Sequence, residues 1–196
     1  MEEAANPPAD MKKHDLPGDF AIWIFIFAEL LVFGVFFLSY AFARANNVEL
    51  FDEYQQTLDR ESGAINTIIL ITSSLFVVRA VNAIRHNAAR LCATWIGLAV
   101  LLGGVFVYLK LLEFGAKHAD GITLSTNTFY MFYLSLTFFH FMHVLMGMVI
   151  LAVVAVKARQ GAYSAENHAG VETGASYWHM VDLVWIVLFP LVYVMH

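Results

Sequence analysis

The sequence predicts an all-α integral membrane protein, a bundle of five transmembrane helices. Hydrophobic residues make up 60% of the 196, and charged residues only 14%, whereas soluble domains carry roughly a quarter. The charge deficit is concentrated in five long apolar runs. The ~10-residue alternating segments of a transmembrane barrel are absent.

A helix needs about 20 apolar residues to cross ~30 Å of hydrocarbon. Residues 21–43 form the first such run, and residues 64–84 a second, softened by Asn66, Thr67, Thr72, Ser73 and Ser74. Residues 91–112 form the third. Residues 126–156 form the fourth, longer than a bilayer requires, so it must tilt or project. Residues 176–195 form the fifth, with Pro190 as a kink or frayed turn near its end. Small and hydroxyl residues let helices approach closely and bond across. That assigns the seam of Asn66, Thr67, Ser73 and Ser74 to helix packing, with Gly97, Gly103 and Gly104 in the third span.

Lysine and arginine give the orientation. Lys12, Lys13, Arg79, Arg85, Arg90, Lys157 and Arg159 fall on the N-terminal side; Arg44, Arg60, Lys110 and Lys117 fall opposite. The excess predicts a cytoplasmic N-terminus and, after an odd number of spans, a periplasmic C-terminus at His196. Trp23, Trp95 and Trp178 sit near helix starts and suit an interfacial belt. Residues 1–19 are polar, carry Pro7, Pro8 and Pro17, and read as a cytoplasmic tail rather than a signal peptide. Residues 20–196 then form one membrane domain. The largest loop, 44–63, holds Glu49, Asp52, Glu53, Asp59 and Glu61.

Ionisable residues inside a membrane are costly and point to function by default. Glu29 lies eight residues into the first span, ~12 Å deep at 1.5 Å per residue. It reads either as a proton-active carboxyl or as a neutral acid tying two helices together. His140 and His143 share one face of the fourth span at i, i+3, and His179 and Asp182 repeat that spacing in the fifth. By depth, these four and Glu29 fall where one interhelical network can form, either functional or made of satisfied hydrogen-bond partners. Glu113 reads as a helix-end acid in a surface ion pair with Lys110, of small energetic value.

Several classes are excluded. The net charge of -5 sits mostly in one loop and points to no nucleic-acid partner. Cys92 is the only cysteine, so there is no internal disulfide and no thiolate cluster. No phosphate-cradling glycine loop, serine-nucleophile motif or cytochrome c haem-attachment motif is present.

Five segments in order carry a resemblance: PGDFAIWIFIFAELLVFGVFF, INTIILITSS, GGVFVYLKLLEF, STNTFYMFYLSLTFFHFMHVLMG and YWHMVDLVWIVLFPLVY. Together, from about Pro17 to the C-terminus, they resemble subunit III of the haem–copper oxidases in its short five-helix form. PGDFAIW and ITSSLFVVRAVNAIR look most like the NorE-type proteins of nitric oxide reductase systems, and a terminal-oxidase subunit of a cytochrome c or quinol oxidase is the other reading. The resemblance implies a subunit that is no enzyme on its own and holds no haem, copper or other metal. It would pack on catalytic subunit I, with subunit II, in a bacterial inner membrane. There it would stabilise the complex, support proton uptake and retain phospholipid. It implies that Glu29 is the intramembrane glutamate that carbodiimide labels in some members, and that His140, His143, His179 and Asp182 are structural or lipid-related.

Two departures stand out. Lys110 and Phe114 replace a glutamine and a tyrosine common in the family. The two helices missing relative to long members form one wall of the family's lipid cleft, which a partner would have to supply. A stand-alone metalloenzyme using the His and acidic residues, and a small proton-coupled transporter using Glu29, are the alternatives.

Overall fold

The computed structural model describes residues 18–195. It contains α1 (Phe20–Asn46), α2 (Val48–Gln55), α3 (Arg60–Arg85), α4 (Ala89–Ala119), α5 (Thr128–Arg159) and α6 (Ala169–Phe189). A π-helical turn, Pro190–Val194, follows α6. Five of these helices, all but α2, are long and apolar enough to cross a membrane. The expected tail lies, up to residue 17, outside the described residues, as do Lys12, Lys13 and His196.

Side chains fix three helix starts. Asp19 accepts from the Ala21 N–H, Asp59 from the Glu61 and Ser62 N–H groups, and Asn127 from the Tyr130 N–H. Each satisfies donors that the first turn leaves without an intrahelical partner. At 32 residues α5 is about 48 Å long, well beyond ~30 Å of hydrocarbon.

Helices α3, α4, α5 and α6 pack in a closed ring, and α1 lies outside it against α6 and α5. Burial follows that order: 11% of the most apolar window of α1 is buried, against 56% for the span containing α6. α6 is therefore the central helix and α1 the one with most surface left to cover.

The elements differ from the sequence expectation in three places. The loop expected over 44–63 contains α2, which lays Phe51 and Gln55 into the core. α4 runs seven residues beyond the expected end at Leu112. α6 begins at Ala169, seven residues before the expected 176. Trp178 therefore lies well inside α6 and is 1% exposed, not interfacial. Its ring fills space left by two glycines: a Cβ at Gly103 or at Gly147 would come within 2.9 Å of it. Gly97 meets nothing within 4 Å, so the packing role expected of it is not realised.

Pro190 has no N–H to continue the helix, and the chain there opens into the π-helical turn. The Val192 carbonyl accepts from Gln55 Nε2 at 2.9 Å, and the Met195 carbonyl accepts from Arg44, which also pairs with Asp52 at 3.0 Å. α1, α2 and the C-terminus are thereby tied at one end of the bundle.

At the opposite end, Glu172 in the first turn of α6 accepts from Arg85 at 2.7 Å and from the Gly18 N–H at 3.1 Å, and lies 3.2 Å from His168. Gly18 has φ +80, and a Cβ there would lie 2.9 Å from the Thr173 hydroxyl. Only glycine fits that conformation against that neighbour without strain.

Candidate functional site

The polar residues inside the spans form three separate centres rather than one network. The first joins α1 to α5. Glu29 Oε2 lies 3.0 Å from His143 Nε2, and His143 Nδ1 lies 2.8 Å from the Phe139 carbonyl. The carbonyl can only accept, so Nδ1 carries a hydrogen. A neutral imidazole then offers Nε2 as an acceptor only. The pair thus holds one proton between Glu29 and His143, either on the carboxyl or on the ring. Phe33 and Phe139 pack on the imidazole at 5.2 and 4.6 Å between centroids.

The second centre joins α3 to α6. Ser74 Oγ lies 2.6 Å from His179 Nδ1. Asp182 faces the same serine, and one of its carboxylate oxygens has no partner. Two residues of the α3 seam bond across helices. Ser73 donates to the Ala99 carbonyl at 3.0 Å, and Trp185 Nε1 donates to Thr67 at 2.9 Å. Asn66 is fully buried with neither amide atom partnered.

The third centre differs from the sequence expectation. Lys110 and Glu113 form no surface pair: their side chains are 1% and 8% exposed. Because α4 continues to Ala119, both lie inside the bundle. Lys110 Nζ donates to Glu113 Oε2 at 2.8 Å and to the Tyr193 hydroxyl at 2.7 Å. Tyr193 donates to Glu113 Oε1 at 2.6 Å, and Tyr133 donates to the same oxygen. The ammonium also sits 4.9 Å from the Trp185 ring centre and 5.1 Å from that of Tyr193. The charge is thus met by a carboxylate, a phenol oxygen and the Trp185 ring, as a buried cation requires. His140 lies in the same region, 5.8 Å from the Phe106 ring and 5.1 Å from Trp185 between centroids, with neither ring nitrogen partnered.

His143 is committed to Glu29 and a carbonyl, His179 to Ser74, and His140 is enclosed by aromatic rings. No three His, Cys, Asp or Glu side chains converge among the described residues.

Residues 16–196 match the sequence profile of the family described as cytochrome c oxidase subunit III. The chain belongs to that family. It is 35% identical over 177 residues to cytochrome c oxidase subunit 3 of Synechocystis sp., covering 90% of this chain and 75% of the relative. It is 33% identical over 173 residues to cytochrome c oxidase subunit 3 of Thermostichus vulcanus, covering 88% and 84%. A probable cytochrome c oxidase subunit 3 of Rickettsia bellii is 33% identical over 195 residues, covering 87% and 66%. With five membrane-length helices and bacterial relatives, this subunit III family member is a multi-pass inner-membrane protein.

Within the family frame, Tyr133 and Tyr193 are the site residues that sequence reasoning missed. The signal was present: Lys110 and Glu113 one turn apart in a span, with tyrosines at the matching end of the fourth and fifth spans. A third span that ends at Leu112 hides it, because Glu113 then falls outside the bundle.

Proposed function

We propose that this chain is the third subunit of a haem–copper respiratory complex, packed on catalytic subunit I alongside subunit II, with haem and copper held by those partners. The observation that carries the reading is α1. It is the least buried span, stands outside the four-helix ring, and brings Glu29 to the one-proton pair with His143. A peripheral helix with an apolar outer face suits a partner in the membrane, and a shared proton within it suits support of proton uptake. The lysine and arginine bias supports a cytoplasmic N-terminus.

Phospholipid retention is supported by a groove of about 620 Å³ between α1, α3 and α6, a size in the usual range for ligand pockets. Ile26, Leu30, Met180 and Leu183 line it, and the Arg85–Glu172 pair stands at its polar end. Association with a nitric oxide reductase is the second reading. It rests on the PGDFAIW and ITSSLFVVRAVNAIR segments; the relatives, named as cytochrome c oxidase subunits, favour a cytochrome c oxidase.

Deletion of the chain from its host tests the proposal. The catalytic subunit should keep its haem spectrum but lose turnover faster during sustained catalysis, with rescue by the intact chain. Unchanged turnover and decay in the deletion strain contradict it.

A further inference from the structure

The Glu113 centre has a feature that packing alone does not call for: two phenols donate to one carboxylate oxygen, and one of them continues into a file of tyrosines. Tyr133 lies 6.3 Å from Tyr130 between ring centroids, and Tyr130 lies 5.4 Å from Tyr54. Tyr133 and Tyr130 are buried, whereas Tyr54, on α2, is half-buried and reaches the surface. The file thus runs from the buried carboxylate to the α2 end of the bundle.

We propose that Tyr133, with Glu113 as its proton acceptor, is a proton-coupled one-electron donor, and that Tyr130 and Tyr54 connect it to one-electron oxidants at the surface. A radical or peroxide-derived oxidant removes an electron from Tyr54. The vacancy moves through Tyr130 to Tyr133, where the O–H bond breaks. The proton passes to Glu113 Oε1, already within hydrogen-bond reach as such transfers require. The products are a neutral phenoxyl radical on Tyr133, a carboxylic acid on Glu113 and a reduced oxidant. A one-electron reductant of the thiol or ascorbate type, acting at Tyr54, returns the electron, and the proton goes back to the phenol oxygen.

The geometry selects Tyr133 over its neighbours. Tyr193 also donates to Glu113, but its oxygen accepts from Lys110 Nζ at 2.7 Å. A cation in contact, in a region of low dielectric, opposes loss of an electron. The same ammonium sits 4.9 Å from the Trp185 ring, whose N–H donates to the Thr67 hydroxyl rather than to a carboxylate. Tyr133 alone combines the carboxylate acceptor with no hydrogen bond from the lysine. The proposal is independent of assembly, because donor, acceptor and path lie in one chain.

The test is photo-oxidation of the intact chain in detergent micelles with ruthenium tris-bipyridine and persulfate, freeze-quenched and read by electron paramagnetic resonance. The expected result is a phenoxyl signal that is lost in Tyr133→Phe, retained in Tyr193→Phe and slowed in Tyr54→Phe. In Lys110→Gln a second phenoxyl pattern, from Tyr193, should join it. An undiminished signal in Tyr133→Phe, arising from exposed tyrosines such as Tyr108, overturns the proposal. Should Tyr133→Phe lose its helical fold by circular dichroism, Tyr54→Phe decides, since it leaves the carboxylate centre intact. An unchanged rate and yield there overturn the proposal too.

Discussion

Glu29 and His143, 114 residues apart, meet at 3.0 Å across α1 and α5 and hold a single proton between them. Glu29→Gln can still donate a hydrogen bond to Nε2, but its amide cannot accept the shared proton. If the pair is proton-active, Glu29→Gln and Glu29→Ala should both hasten turnover loss in the assembled complex while leaving the haem spectrum intact. Decay measured over repeated turnovers checks this. A Glu29→Gln complex that decays like the wild type assigns the pair to helix packing alone.

The spans and Glu29 were legible because apolar length and an isolated charge are local properties of the chain. The Lys110–Glu113 centre was not, because its meaning lies in Tyr133 and Tyr193, 20 and 80 residues from Glu113. His140 and His143 show the same limit. Their spacing places both on one face of α5, yet one meets a carboxylate on α1 and the other faces Trp185 and Phe106. Neighbouring helices, invisible in the spacing, decide which.

Glu113→Ala leaves Lys110 buried without a counter-charge. Breaking a buried pair from one side costs about 3–5 kcal/mol. Lys110→Gln, by contrast, removes the cation and keeps an N–H donor for Glu113 and Tyr193. It should lower the unfolding temperature in detergent by less than half as much as Glu113→Ala. The reverse order would show that the ammonium, not the carboxylate, organises the centre.

Trp178 gives a packing test with an internal control. Gly147→Ala sets a Cβ 2.9 Å from its ring, and such overpacking costs about 1–3 kcal/mol. Gly97→Ala meets nothing within 4 Å, so its effect should stay within about 0.5 kcal/mol. Thermal unfolding of the two variants side by side reads the difference; equal shifts would mean that Trp178 is not held as described.

Gly18→Ala forces a left-handed backbone onto a residue with a Cβ, at a cost of about 1–2 kcal/mol, and crowds Thr173. The Arg85–Glu172 pair does not depend on it. Amide exchange should therefore quicken at the start of α1, with α3 and the body of α6 unchanged. Exchange that quickens throughout α6 would instead make the Gly18 contact a support of the whole bundle.

The most direct test of the subunit assignment is isolation of the tagged chain from its native membranes in mild detergent, read by a reduced-minus-oxidised haem spectrum and by mass spectrometry of the co-eluting chains. The account predicts a haem–copper catalytic subunit in constant ratio to the tagged chain through successive columns, its sequence naming oxygen or nitric oxide as the acceptor. A colourless chain that elutes without a haem-bearing partner, from membranes in which the oxidase itself remains intact, would contradict it.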